Sequence, residues 1–207
     1  MPQGRSIILQ QMRKIILASA SPRRAEILRI TGLRFYIAAS DYKEDLNLPL
    51  NPRLLARFLS RKKAEAVAQK YKNAIIITAD TFIVFNKRLL GKPHTYKAAE
   101  KMLRMLNGKA HSVITGFTII DTSRGKVLSR SVETKVYFKK INSGEIKAYV
   151  KTGEPLDKAG AYAIQGLGAV FIEKIEGDFF NVMGLPLCAL TESLEKFGIY
   201  ILKEKST

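Results

Sequence analysis

Apolar residues in this chain come in short runs separated by polar, turn-forming punctuation. The runs alternate between strand-like and helix-like spacing. KIILAS predicts a first strand over Lys14–Ala18. A helix is expected from Pro22 to about Thr31, with Ser21 as N-cap, Pro22 at the first helical position and Gly32 just past the end. LRFYIAAS reads as a strand. A long helix follows, capped by Asn51, opened by Pro52 and running to about Lys70, with Leu54, Leu55, Phe58 and Leu59 as its apolar stripe. AIIITA, residues 74–79, predicts a buried strand that ends at Asp80, with a second strand over Phe82–Phe85 and NKR as its turn. AAEKMLRMLNG predicts a helix to about Asn107, stopped by Gly108. SVITGFTIID and SVETKVYFKK read as an antiparallel hairpin, and Asn142 as the cap of a short helix. KTGEPLDKAGAYAIQGLG is expected to be a long loop, AVFIEKIEG a late strand, and residues 186–197 a terminal helix with Leu187, Leu190 and Leu194 inward. Interleaved strands and helices mean an α/β fold with a mixed sheet. Ligand sites in such folds lie beyond the carboxyl ends of strands, which directs attention to Ser19–Arg24 and to Asp80.

At 207 residues, 46% hydrophobic and 26% charged, the chain suits a globular protein with a sizeable core, not a disordered one. The single cysteine, Cys188, excludes a disulfide framework and any thiolate-rich metal site, and is expected in the core. No apolar run reaches the ~18 residues of a membrane span, and the N-terminus lacks a signal peptide's continuous apolar region, so a cytoplasmic protein with no membrane partner is expected. The net charge of +17 favours anionic partners without choosing among them. The surplus lies in the first two thirds of the chain, spread between hydrophobic segments. There is no basic arm and no aromatic stacking pattern of the kind an RNA module needs.

The turn Ser19-Ala-Ser-Pro-Arg-Arg24 opens a helix. Its free N–H groups and dipole make an anion site. Arg23 and Arg24 would occupy the second and third helical positions, where acidic side chains are normally favoured, so they suit a helix end that holds phosphate. The competing reading is a surface helix with solvated arginines. Asp80, after a strongly apolar run, can hold Mg²⁺, orient water or accept a proton, or can simply make an Asx turn. Thr81 is a strand former or a hydroxyl donor. Glu44 is a candidate metal ligand, with Asp41 and Asp45 in competition. Lys63 lies in a charge run that ordinarily marks a solvated face. Lys92, between Gly91 and Pro93, suits a phosphate contact or an ordinary turn. The loop Asp157–Gly166 has small residues that let a planar ligand approach, and Gln165 can read an amide-like base edge. His94 and His111 read as surface or strand-start histidines.

Taken together, LASASPRRAEIL (17–28), ITADTFIVF (77–85), LLGKP (89–93), PLDKAGAYAIQGLGAVFIEKIEG (155–177) and FNVMGLPL (180–187) resemble the Maf family of nucleoside triphosphate pyrophosphatases. The resemblance spans residues 14–197. It implies an α/β fold with an elongated twisted mixed sheet, flanking helices and two lobes around a cleft, in one catalytic domain over 14–207 behind an extension at 1–13, with Met12 an alternative start. It implies hydrolysis of a nucleoside triphosphate to monophosphate and pyrophosphate with a divalent cation, Mg²⁺ or Mn²⁺, held by Glu44 and Asp80. The implied role is removal of modified or non-standard nucleotides. Asp80 matches the proton acceptor. Arg23, Thr81 and Gln165 match positions of substrate choice, and Ser19, Arg24, Lys63, Lys92 and Asp157 match other polar cleft positions. ADT at 79–81 and IQG at 164–166 resemble the dTTP/UTP-preferring group, with a 7-methyl-GTP pyrophosphatase as the alternative. A basic nucleic-acid-binding module would explain the charge but not the order of motifs. A division protein that has lost catalysis is opposed by the intact SPRR and ADT segments. No specific nucleic acid is expected, and a homodimer is left open.

Overall fold

A computed structural model of the chain describes residues 13–202. The expected extension at 1–13 therefore lies, Arg13 apart, outside the described residues. The elements run β1 (Lys14–Leu17), α1 (Pro22–Arg29), β2 (Tyr36–Ile37), α2 (Pro52–Ala68), β3 (Ala74–Phe85), β4 (Arg88–Leu90), α3 (Tyr96–Leu106), β5 (Ala110–Asp121), β6 (Lys126–Phe138) and α4 (Ser143–Lys151). After three single 3₁₀ turns at Glu154–Asp157, Ala159–Ala161 and Leu167–Phe171 come β7 (Ile172–Glu176), α5 (Phe179–Met183) and α6 (Leu187–Glu195). The strands form one mixed sheet in the order β2-β1-β3-β5-β6-β7, with β4 also on β3. β1 pairs in parallel with β2 and β3, and the other pairings are antiparallel. No helix among the described residues is long and apolar enough to cross a membrane.

Side chains alternate across the sheet and divide the core. On one face Ile75, Ile77 and Phe117 pack on Ile27 and Leu28 of α1 and Leu190 and Leu194 of α6. Farther along that face Ile83, Phe85 and Val113 pack on Leu103 and Leu106 of α3 and Ile146 of α4. These are the two lobes. The opposite face carries α2, whose Leu55, Leu59, Ala64 and Val67 cover Ile76, Phe82, Ile114 and Ile120. The caps follow sequence chemistry. Asn51 accepts from Leu54 N–H, and Asn142 and Glu145 form a reciprocal capping box.

The two strands expected on either side of Asp80 are one strand. Pairing with β5 runs unbroken from Ile75↔Asp121 to Val84↔Ser112, so Asp80 lies inside β3, not at its end. The polar Asp80–Thr81 step looks like a terminus only when cross-strand pairing is unknown. LRFYIAAS yields just the two-residue β2, with both residues exposed. Gly32 does adopt φ +71°, but α1 ends earlier, at Arg29. The glycine-rich loop contains two 3₁₀ turns and the start of a third, which takes Ala169–Phe171 from the expected late strand; β4 and α5 lie outside the expected elements, and Cys188 is exposed on α6 instead of buried.

Gly116 sets the depth of α2. A Cβ at Gly116 would lie 2.2 Å from the carbonyl carbon of Ala56 and 2.5 Å from the amide nitrogen of Arg57. Helix backbone there presses directly on the strand. Gly116→Ala is expected to lower stability by about 3 kcal/mol, roughly 6–12 °C in Tm, as thermal unfolding would measure.

His111 is buried at the start of β5, with Nε2 2.7 Å from the Tyr162 hydroxyl and its ring edge-on to Phe138. Burial pushes its pKa down to about 4. The folded protein therefore holds it neutral. This contribution to stability is complete above the unfolded value near 6.5 and is lost as pH falls towards 4, an effect of about 3 kcal/mol. Urea unfolding between pH 7 and 4 should show this loss, and His111→Gln should flatten the profile relative to wild type.

Candidate active site

β3 has β5 along one edge. On its other edge β1 pairs with residues 74–77 and β4 with residues 83–85. Residues 78–82 are left without a strand partner on that side among the described residues. β1 ends at Leu17, and the chain turns through Ala18–Ser21 into α1. A cleft of about 870 Å³ opens at this break, at the carboxyl end of β1. Ser19, Arg23, Arg24, Glu44, Lys63, Asp80, Thr81, Lys92, Asp157 and Gln165 all line it, so the ten residues nominated from sequence converge on one site.

The two arginines divide. Arg24 is bound to protein on all sides: Nε donates to the Gly184 carbonyl at 2.8 Å, Nη1 to Ser19 Oγ at 3.2 Å and Nη2 to Thr81 Oγ1 at 3.1 Å. The network continues inward, with Thr81 Oγ1 3.0 Å from Thr115 Oγ1 and Thr115 donating to the Asn181 carbonyl at 3.0 Å. Burial lowers the Arg24 pKa, opposed by Asp80, and the guanidinium remains a cation. Arg23 lines the cleft with no hydrogen bond or ion pair among the described residues. Ser21 sits at the N-cap position without a side-chain cap bond. Its own N–H instead donates to Ser19 Oγ at 3.2 Å. The first turn of α1 holds no acidic residue. Its dipole and amides face the cleft together with Arg23.

On the α2 side the Lys63 ammonium lies 2.8 Å from Asp80 Oδ2 and 2.6 Å from Glu44 Oε1. Lys63 is one of three basic residues in RKK, but it alone turns inward. Arg61 and Lys62 pair with Glu65 on the surface. Asp80 is 6% exposed. Burial raises its pKa and Glu44 adds to the rise, against the pull of Lys63 and Arg24. Asp41 pairs with Lys70 and Asp45 caps the Asn47 N–H, so neither competes with Glu44 at the cleft. Among the described residues no group of three or more His, Cys, Asp or Glu side chains forms a metal cage. Glu44 and Asp80, bridged by the Lys63 ammonium, are the oxygen donors of the cleft that could hold a hard cation.

The far wall comes from the second lobe. Lys92 is exposed beside Gly91, whose carbonyl accepts the Gly160 N–H at 3.1 Å, and His94 N–H donates to the Leu156 carbonyl at 3.2 Å. Asp157 forms an ion pair with Lys158, and Gln165 is exposed at the loop tip. Sequence reasoning passed over Lys158, though the adjacent DK pair marked it, and over Thr115, Asn181 and Gly184, which support the Arg24–Thr81 pair. NVMG was visible as a motif, but its contact with Arg24 depends on the fold.

The fold and the cleft define an α/β protein whose sheet opens, where one edge changes partner strand, onto a cation-rich pocket with a buried carboxylate at its floor. The chain belongs to the Maf-like protein family, whose profile matches residues 14–197. It is 50% identical over 194 residues to a dTTP/UTP pyrophosphatase of Methanosarcina barkeri, spanning 93% of this chain and 98% of that protein. It is also 50% identical over 193 residues to a dTTP/UTP pyrophosphatase of Alkaliphilus metalliredigens, spanning 92% of this chain and 100% of that one. The structure of the Staphylococcus aureus Ham1 protein aligns over 90% of this chain and all of that one at 14% identity and a TM-score of 0.46, too slight a likeness to argue from.

The split between the arginines has separable consequences. Arg24→Ala should lower both Tm and kcat/KM, since it removes three partly buried hydrogen bonds, to Ser19, Thr81 and the Gly184 carbonyl, at about 1–3 kcal/mol. Arg23→Ala should leave Tm within about 1 °C and lower kcat/KM at least about tenfold. Thermal unfolding and steady-state kinetics on both variants check this.

Proposed function

We propose that this chain hydrolyses dTTP and UTP, each to its monophosphate and pyrophosphate. The observation that carries the reading is the convergence of the ten polar residues on one cleft around buried Asp80, in a chain half identical to proteins named for that activity. Water attacks the α phosphorus, the bond from the α phosphorus to the bridging oxygen breaks, and pyrophosphate leaves. Asp80, in the wall of the cleft and held by Lys63, is placed to take the water's proton. Lys63 orients Asp80 and Glu44 at once. Arg23, the first amides of α1 and Lys92 meet the phosphate charge, which is concentrated further as the transition state forms. Glu44 and Asp80 would hold a divalent cation, Mg²⁺ or Mn²⁺, which supplies charge neutralisation on the phosphates and a more acidic water. Gln165 can donate to a pyrimidine carbonyl and accept from N3–H, and so complements thymine and uracil. We place the enzyme in the cytoplasm, acting on free nucleotides with no specific nucleic-acid partner, and leave a homodimer open.

Pyrophosphate release from dTTP, UTP, CTP, GTP and 7-methyl-GTP, with Mg²⁺ or Mn²⁺, tests the reading. dTTP and UTP are expected to be close to each other and ahead. A lead for GTP or 7-methyl-GTP defeats the base preference, and no release from any of them defeats the hydrolase. Asp80→Asn should cut kcat by about 100-fold or more without lowering Tm at pH 7. The folded pKa of Asp80 lies above its unfolded value. Its stabilising contribution is therefore complete only at acid pH and is lost as pH rises through the folded pKa, so the ionised group is a cost at neutrality. Turnover within about threefold of wild type would remove Asp80 from the chemistry.

A further inference from the structure

The segment from Glu154 to Phe171 brings Asp157, Lys158 and Gln165 to the cleft, yet its only regular structure is three single 3₁₀ turns. A stretch of this length keeps one shape only when something outside its own backbone holds it. A phenol and a carboxylate stand at that place. Tyr149, near the end of α4, donates its hydroxyl proton to Glu154 Oε1 at 2.9 Å. Glu154 accepts the Leu167 N–H through Oε2 at 2.9 Å and the Gly168 N–H through Oε1 at 3.2 Å. Leu167 and Gly168 follow directly after the tip Ile164–Gln165–Gly166, so the pair ties the returning limb of the loop just below Gln165.

Two glycines show how closely the loop rests on this pair. A Cβ on Gly166 would lie 2.6 Å from Glu154 Oε1, and one on Gly168 would lie 2.7 Å from the Tyr149 hydroxyl. Tyr149 is itself buried and packs edge-on against Phe171, ring centroids 5.0 Å apart. Burial and the bond to Glu154 push its pKa up, so it stays a donor. Neither Tyr149 nor Glu154 lines the cleft. Any effect on a ligand must pass through the loop.

We propose that Glu154 and Tyr149 are positioning residues for base selection, holding the Ala163–Gly168 loop so that Gln165 meets the base in one geometry. This rests on the reading above that the ligand is a nucleoside triphosphate with its base at Gln165. A hydrogen-bonding reader discriminates only while held within about 0.5 Å of its partner. The phosphate contacts proposed above come from Arg23, the first amides of α1 and Lys92, none of which bonds to Tyr149 or Glu154. Loosening the loop therefore removes discrimination between bases and leaves the hold on the phosphates.

The test uses calorimetric binding of the α,β-methylene analogues of dTTP, UTP and GTP, with inorganic tripolyphosphate as a probe without a base. No turnover is needed, so failure of the proposed activity and failure of this inference are read separately. In Glu154→Gln, and in the milder Tyr149→Phe, the preference of wild type for its best base should fall at least about tenfold. Tripolyphosphate affinity should stay within about threefold, and hydrogen exchange at the Leu167 and Gly168 amides should rise. Phe197→Leu, in the core between α1 and α6, lowers Tm without touching the loop and should keep the base preference. The inference is overturned if either folded variant keeps its base preference, if tripolyphosphate affinity falls in step, or if wild type binds all three analogues alike.

Discussion

The close approach of α2 to the middle of the sheet is the constraint on which the rest of this structure depends. At Gly116 the helix backbone meets the strand without an intervening side chain. Gly116 is the cross-strand partner of Asp80. Two helical turns beyond Ala56, Lys63 projects from the same face of α2 and reaches the Asp80 carboxylate. Between them Ser60 Oγ lies 2.9 Å from Thr118 Oγ1, and the Thr78 hydroxyl donates to the Ser60 backbone carbonyl at 2.6 Å. A larger residue at Gly116 would lift the helix, open that polar seam and withdraw the ammonium from Asp80 together.

A buried carboxylate is costly, and the arrangement around Asp80 explains why it is tolerated. Lys63 and Arg24 oppose the effect of burial, while Glu44 adds to it. The cations of the cleft fall into two kinds. Arg24 and Lys63 are committed to protein partners, and they set the positions of Thr81, Asp80 and Glu44. Arg23 and Lys92 make no hydrogen bond or close ion pair among the described residues, though Lys92 lies near Asp157, and both can turn to an anion. Ordering the first kind before any ligand arrives lowers the entropic cost of binding for the second.

The division of the sheet gives the cleft its two walls. One lobe, with α1 and α6, contributes the Ser19–Arg24 turn. The other, with α3 and α4, contributes Lys92 and the Glu154–Phe171 segment. The change of partner on the free edge of β3, from β1 to β4, leaves the floor between them open. Residues 79–82 on that edge line the cleft where an unbroken sheet would have covered them. The same mixed pairing that makes the fold irregular also makes the site.

Sequence by itself determined what depends on neighbours along the chain. The Asn51 and Asn142 caps, the β5–β6 hairpin and the helix that opens at Pro22 follow from local chemistry and came out where the spacing placed them. The polar residues of the site were also legible, because a double arginine in a first helical turn and an aspartate in an apolar run each conflict with their local setting. Tertiary structure decided the rest. Asp80 looks like the end of a strand until β5 is seen to pair past it. Arg23 and Arg24 are indistinguishable until Gly184 and Thr81, far away in sequence, take up one guanidinium. Lys63 is one of three basic residues in a row until the depth of α2 turns it inward, and Glu154 is an ordinary loop acid until the amides of Leu167 and Gly168 fold back onto it. In each case the deciding energy is a contact between residues that only the folded chain brings together. Local propensity carries no information about such contacts.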